Sequence, residues 1–320
     1  MTPTTHLITG VAGQDGVLLA RLLLAEGGRV VGTVRPDSPS LARNACYLDG
    51  VEIHTVDLRD SVAMEALVRS VEPDEIYNLA ALSSVGESWR DPTTAQAING
   101  EAAIDLIRLA STMPGVRILQ AGSAEEGLDS PYATAKSAAS EAVHAARDAG
   151  AFASVATLHP HESPLRARSF VSRKVTRAAA EIAAGMTDSL TLGKLDVRRD
   201  WGSAMDHVRA LRTIIRLDEP RDFVVATGTT HSLRDLLDAA FAAAGLSDPM
   251  RYVHTDPSLV RPNDAPELIG DPSELIAATD WRPTMTFERT ISEMVAIDAR
   301  RVSTGVEESA SYLEGDRCAS

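Results

Sequence analysis

Tyr132 and Lys136 stand four residues apart in the run SPYATAK, far downstream of a glycine turn, Gly10-Val11-Ala12-Gly13-Gln14-Asp15-Gly16. Residues four apart share a helix face, so the Lys136 ammonium can approach the Tyr132 ring. A phenol titrates at about 10, and taking a proton from an alcohol at neutral pH means stabilising the phenolate by roughly 3 pH units, about 4 kcal/mol. A neighbouring ammonium supplies part of that. Such a pair moves protons to and from an alcohol when a hydride carrier lies beside it, and the glycine turn supplies the place for one. The YxxxK spacing also occurs in ordinary amphipathic helices, so its surroundings must decide.

Small residues at Gly10, Gly13 and Gly16 let the backbone turn tightly and approach a pyrophosphate, whose charge is met by the first amides of the following helix. The spacing is GxxGxxG, the form typical of short-chain dehydrogenase/reductases, which agrees with the YxxxK pair. Where an NAD-specific chain places an acid at the end of the second strand, this one has Arg35. Arginine there favours a 2′-phosphate and so NADP ahead of NAD. Asp37, two residues on, pulls the other way, and a solvated loop arginine is the alternative for Arg35. Asp57 and Leu58, after the third strand, are placed to meet the adenine.

The elements that must hold these residues alternate. Strand-like runs at 5–10, 29–34, 51–56, 74–79 and 116–121 alternate with helical stretches at 14–27, 60–71, 94–112 and 133–149. Leu18, Leu19, Leu22 and Leu23 form the apolar face of the first helix. The alternation predicts an α/β fold, a Rossmann-like doubly wound parallel sheet with a smaller C-terminal substrate-binding lobe. The nucleotide-binding domain is expected over 1–160, with a strand and helix returning from about 190–228. The lobe is expected over 161–300 and a flexible polar tail over 303–320.

With 44% apolar residues the chain can bury a sizeable core. A net charge of −14 disfavours nucleic acid and anionic membrane as partners. The chain has no apolar run of about 18 residues and no secretory leader pattern, and Cys46 and Cys318 cannot build a disulfide framework, so cytoplasm is the expected location. His159 and His161 form an HxH pair without a constellation at ligand spacing, so no metal is expected. Trp201 and Trp281 are expected in the core.

Longer segments narrow the reading. LITGVAGQDG at the start, PDEIYNLAA at 73–81, HESP at 161–164 with SFVSRKVTRA, LGKLDVRRDWGSAMDHVRA at 192–210, DEPRDFVVATG at 218–228 and LIGDPSE at 268–274 are not generic to the fold. From about residue 5 to 300 the chain resembles the extended short-chain dehydrogenase/reductases, and within them the GDP-mannose 4,6-dehydratases. The resemblance implies that Tyr132 takes the proton of a sugar 4-hydroxyl while the C4 hydride passes to NADP. A carboxylate then removes the acidified C5 proton, water leaves from C6, and the hydride returns there. In the run QAGSAEEG, Ser123 takes the place of the family's threonine at the 4-hydroxyl and Glu125 that of the C5 base. A surface glutamate is the alternative for Glu125.

The resemblance further implies cofactor contacts at Gly10, Gly13, Gln14, Asp15, Gly16, Arg35, Asp57, Leu58, Leu79, Ala80, Ala81, Tyr132, Lys136 and His161. Substrate contacts are implied at Ser83, Glu162, Val171, Lys174, Arg199, Arg261 and Asp264, with Lys174, Arg199 and Arg261 meeting the nucleotide and its diphosphate. Asn99 matches an asparagine that orders Lys136. The implied partner is a nucleotide-diphosphate sugar, and the implied assembly a homodimer or homotetramer.

Departures cluster at the sugar and nucleotide contacts. Only EGLDSP separates Glu125 from Tyr132, where the family carries a longer loop. Pro160, Leu82, Ser84, Lys194 and Ser203 replace polar or aromatic family residues, and Asp264 replaces a glutamate. A divergent dehydratase, an epimerase or reductase on the same scaffold, and an NADP-binding protein without catalysis all stay open at this level.

Overall fold

The computed structural model describes residues 3–259 and 264–313. The chain runs β1 (Thr5–Thr9), α1 (Gln14–Ala25), β2 (Arg29–Val34), α2 (Pro39–Asn44), β3 (Glu52–Thr55), α3 (Ser61–Val71) and β4 (Glu75–Asn78). Then come α4 (Val85–Arg90), α5 (Pro92–Ala95), a π-helical stretch (Gln96–Ala102) continuing into α6 (Ala103–Ser111), β5 (Arg117–Ser123), α7 (Pro131–Asp148) and β6 (Phe152–Leu158). After these follow β7 (His161–Glu162), α8 (Val171–Ala183), β8 (Leu190–Leu192), β9 (Arg198–Arg199), β10 (Gly202–Ser203), α9 (Ala204–Ile215) and β11 (Phe223–Val225). The chain closes through β12 (His231–Ser232), α10 (Leu233–Ala243), β13 (Val253–Thr255), β14 (Glu267–Leu268), α11 (Ser273–Ala278) and α12 (Phe287–Thr304).

Two compact units result. The first takes the chain up to Leu158, His207–Val225 and Asp271–Trp281. The second takes His159–Asp206, Ala226–Gly270 and the described residues from Arg282.

The first unit is built on a seven-stranded sheet in the order β11-β6-β5-β4-β1-β2-β3, with every neighbouring pair parallel. Parallel strands covered on both faces read as near-continuous apolar runs. In β1 this gives Leu7 and Ile8, and in β5 Ile118 and Leu119, all at most 1% exposed. Leu18, Leu19, Leu22 and Leu23 of α1 are buried as the periodicity indicates. The core gathers Val31, Ile76, Leu106, Ile107 and Val143 around these strands. Strand order reverses between β1 and β4, and ligands of such sheets bind outside the carboxyl ends of the strands at that reversal.

The second unit has its own core, in which Val175, Leu190, Trp201, Leu236, Phe241 and Ile291 pack together. Trp201 lies over Phe287 with ring centroids 6.0 Å apart. Trp281, which belongs to the first unit, is also buried, at 6% exposure.

The fold is the expected doubly wound sheet followed by a smaller lobe, with differences at the edges. β1 stops at Thr9, because Gly10 turns into the left-handed region at φ 68°. The returning stretch assigned to the first unit is 207–225, narrower than the sequence suggests, and residues 271–281 join it as well. Of the segment expected to be a flexible tail, residues 314–320 lie outside the described residues, and the described part is helical up to Thr304. Beyond that, Tyr312 and Leu313 are buried. Arg301 holds this segment by donating to the Glu307 carbonyl at 2.6 Å and to the Glu308 carboxylate at 2.7 Å.

Candidate active site

In the first unit the glycine turn sits at the strand reversal. A Cβ on Gly10 would lie 2.9 Å from Ala80 Cα, and one on Gly16 would lie 2.6 Å from the Gly10 carbonyl oxygen. Glycine is therefore required for the turn after β1 to press against the Leu79–Ala81 segment after β4. Thr9 locks the two together. Its Oγ1 accepts from the Leu79 and Ala80 amides, both at 3.0 Å, and donates to Asn78 Oδ1 at 2.7 Å.

Helix α1 begins at this turn with Gly13 as its N-cap, a residue with no side chain to cap the helix. The first amides of a twelve-residue helix, at its positive end and above a turn that admits no side chain, are what a dinucleotide pyrophosphate needs. The residues present thus fit such a group, with Gly10, Gly13, Gln14, Asp15 and Gly16 placed to hold it. Arg35 is exposed just beyond β2. Asp57 accepts from Arg59, which, with a smaller effect from the charge of Arg35, holds its carboxyl below the usual range. Leu58 packs against the core and lines a cavity with Met64 and Leu106, between α3 and α6.

The catalytic candidates gather at the end of β5 and the start of α7. Ser130 caps α7 by accepting from the Ala133 amide at 3.0 Å, and Pro131 fills the first helical position. Tyr132 and Lys136 then fall on the buried face, at 8% and 4% exposure. Lys136 Nζ donates to the Ala121 carbonyl at 2.8 Å. Burial lowers the Lys136 ammonium to about 8, against an opposing pull from the charge of Glu126. The group is therefore cationic at neutral pH and close to its titration.

Ser123 is buried, and its Oγ accepts from the Glu125 amide at 3.2 Å, which leaves its hydroxyl hydrogen to be donated. Glu125 is half-buried. The short connection EGLDSP is closed by tight turns in which the Glu126 amide donates to the Ser123 carbonyl at 3.0 Å and the Leu128 amide to that of Glu125 at 3.1 Å.

A buried polar chain that the motifs do not announce links the turn to this pair. From Thr9 it passes to Asn78, whose Nδ2 donates to Gln120 Oε1 at 2.6 Å. Gln120 Nε2 then donates to the same Ala121 carbonyl that receives Lys136, at 2.9 Å. Asn78 and Gln120 stand inside the quoted runs PDEIYNLAA and QAGSAEEG. Their signal was polarity at the ends of otherwise apolar strands. The side chain of Asn99, the residue expected to order Lys136, binds both backbone groups of Leu82, at 2.8 and 3.0 Å. Ser83, next to it, is exposed.

In the second unit, His161 is buried in β7 and its Nδ1 meets the His159 carbonyl at 2.7 Å. Glu162 was expected to touch substrate. Its carboxylate accepts from Ser172 Oγ at 2.6 Å and pairs with Arg166 at 3.2 Å, both through Oε2 and at 2% exposure, which ties it to the first turn of α8. Val171 opens that helix. Lys174 Nζ donates to the Thr191 carbonyl at 2.6 Å. Arg199 donates to Asp264 at 2.6 Å and to the carbonyls of Arg198 and Ala265. The two expected substrate contacts Arg199 and Asp264 thus form one unit, and Arg261 lies outside the described residues.

The family model described as GDP-mannose 4,6 dehydratase matches residues 7–126 and 128–294. The chain belongs to the GDP-mannose 4,6 dehydratase family. A GDP-mannose 4,6-dehydratase of Vibrio cholerae is 32% identical over 357 residues, covering 95% of this chain and 96% of that one. Among solved structures, the UDP-glucose 4-epimerase of Thermus thermophilus in complex with NAD is 23% identical with a TM-score of 0.77, covering 92% of this chain and 99% of that one. RMD from Pseudomonas aeruginosa complexed with NADPH is 21% identical with a TM-score of 0.76, covering 93% and 99%. The two structures share the fold of this family member, and the family confirms the likeness read from its motifs.

Proposed function

We propose that this member of the family is an NADP-dependent nucleotide-sugar 4,6-dehydratase acting on GDP-mannose or a related nucleotide hexose. The observation that carries the reading is the buried Tyr132/Lys136 pair against the end of β5, with Ser123 and Glu125 on the next residues of that strand and turn.

A bound nicotinamide supplies hydride acceptance from C4 and hydride return at C6. Tyr132 takes the proton of the 4-hydroxyl, its phenolate supported by the Lys136 ammonium. Ser123 donates to the oxygen that becomes the 4-ketone. That ketone acidifies the C5 proton, which Glu125 removes. Now a neutral acid, Glu125 has a proton for the departing 6-hydroxyl, so one water is lost and C5 later recovers a proton from solvent. An epimerase needs no base at C5, so Glu125 separates the two chemistries.

NADP is favoured over NAD by the exposed Arg35 beyond β2, where an acid would select for ribose hydroxyls. The diphosphate falls to the arginines and to Lys174 in this reading. A cytoplasmic homodimer or homotetramer completes it.

Glu125→Gln tests the proposal. With GDP-mannose and NADP, the variant is expected to oxidise C4 and accumulate reduced nicotinamide, visible by its absorbance, with water loss slowed by about 10²–10⁴. Unimpaired turnover in Glu125→Gln would reject the dehydratase and favour the epimerase.

A further inference from the structure

Two residues after the carbonyl that receives Lys136, the Ser123 amide donates to Glu126 Oε1 at 2.7 Å. The two backbone groups lie on one edge of β5. The Ala124 amide donates to the Leu158 carbonyl of β6, so Gly122 and Ala124 face β6, and the alternate residues Ala121 and Ser123 face the other way. On that side β4 has ended at Asn78, and the next amides, of Leu79 and Ala80, are spent on Thr9. The Ala121 carbonyl and the Ser123 amide on this edge are therefore left to side chains, the Ser123 carbonyl being taken by the Glu126 amide, and the two stand less than one two-residue repeat apart, about 6.5 Å. A cation fills the first and an anion the second. Gly122 between them is needed for this, because a Cβ there would lie 2.8 Å from Glu126 Oε1 and 2.7 Å from Val155 Cγ1.

We propose that Glu126 is a positioning residue for the Tyr132/Lys136 pair, its carboxylate held on the Ser123 amide as the fixed counter-charge to the Lys136 ammonium on the Ala121 carbonyl. The inference rests on Tyr132 and Lys136 being the proton-transfer pair.

The surroundings leave Glu126 with little competition. Besides Tyr132 on its own helix, the groups to consider are those on β5 and its following turn, the π-helical stretch, α4, α5, α6 and β6. β6 and α5 carry no charged side chain. Glu87 and Arg90 of α4, Glu101 of the π-helical stretch, and Asp105 and Arg108 of α6 are exposed. Arg117 is at the far end of β5 and donates to the carbonyls of Ile215 and Leu217. Glu125 and the exposed Asp129 share the turn. The charge that acts on Lys136 is that of Glu126, and it opposes the effect of burial. Without it the ammonium would lose its proton at lower pH, and Tyr132 would lose its electrostatic support with it.

Lys136, Lys174 and Lys194 are the only lysines of the chain, so side-chain ¹³C-labelled lysine gives three signals to titrate by NMR. Lys136→Met assigns one by its disappearance. Glu126→Gln keeps an acceptor for the Ser123 amide and removes only the charge. The Lys136 midpoint is expected to fall by about half a pH unit or more in Glu126→Gln. Glu126→Asp, which keeps the charge, should hold the midpoint above that of Glu126→Gln. The alkaline limb of kcat should move with the midpoint in Glu126→Gln while KM stays put. An unchanged midpoint in Glu126→Gln overturns the proposal, and so does an equal fall in Glu125→Gln, which would mean a diffuse field. The titration is read without substrate. Absence of turnover in the wild type therefore counts against the dehydratase, and a fixed midpoint counts against Glu126.

Discussion

Lys136 Nζ and Gln120 Nε2 donate to one acceptor, the Ala121 carbonyl, at 2.8 and 2.9 Å. Removing the ammonium therefore leaves that carbonyl satisfied. The lysine titrates at about 8 in the folded chain against 10.5 ordinarily, the difference coming from burial. Between those values the unfolded chain binds more protons, so stability rises with pH across that window, and below it the charged form costs about 3 kcal/mol. Lys136→Met is expected to melt no lower than the wild type at pH 7, with the gap narrowing towards pH 10, while turnover falls by about 10²–10⁴. A clear drop in melting temperature would refute this account of Lys136.

Arg199 and Asp264 predict a kinetic split. Arg199 reaches Asp264 at 2.6 Å with its side chain 9% exposed, so it is held in one geometry before any anion arrives. Arg199→Met is expected to raise KM for the nucleotide sugar at least roughly tenfold while kcat changes by only about threefold, the signature of lost uniform binding. Steady-state kinetics would show the reverse split if Arg199 served the chemical step.

Stability towards acid is predicted to depend on Glu75. This buried carboxylate accepts from Tyr77 at 2.8 Å, meets His6 Nδ1 at 3.0 Å and Arg216 at 3.2 Å. Burial pushes its titration up, but these partners outweigh burial and leave it below the ordinary 4.5. Its contribution is thus complete above that value and is lost as pH falls through the lower folded one. Glu75→Gln should cost about 1–3 kcal/mol at neutral pH. In urea titrations at several pH values, the difference from wild type should close on acidification.

Asp298 is the anion between two buried arginines in the second unit. It accepts from Arg173 at 2.8 Å, from Arg301 at 3.1 Å and from Thr176 at 2.8 Å, with no exposure of its own. Asp298→Asn leaves both guanidinium groups without their shared charge and is expected to cost about 3–5 kcal/mol by chemical denaturation.

Much of this was legible in the sequence, for physical reasons. Strands covered on both faces and helices with one apolar stripe leave periodic signals, which is why β1 to β5 and α1 fall where the pattern puts them. The glycine turn and the Tyr132/Lys136 spacing are local and were equally visible. Long-range pairings leave no such trace. Nothing in the spacing says that Asn78 and Gln120 meet on adjacent strands, that 271–281 joins the first unit, or that Asn99 closes on Leu82. Polar character misled at the C-terminus, where Glu307 and Glu308 look solvated but serve the buried Arg301. Glu126 carries no motif signal of its own, since the motif falls on its neighbour Glu125, whereas the role proposed for it depends on the edge that β4 leaves open.

The most direct test of the central claim is the mass of the product formed when the wild-type protein, NADP and GDP-mannose are incubated together. The account predicts a nucleotide sugar lighter by one water and bearing a 4-ketone, with no net consumption of NADP. An unchanged mass with GDP-mannose and with every other nucleotide hexose would contradict it.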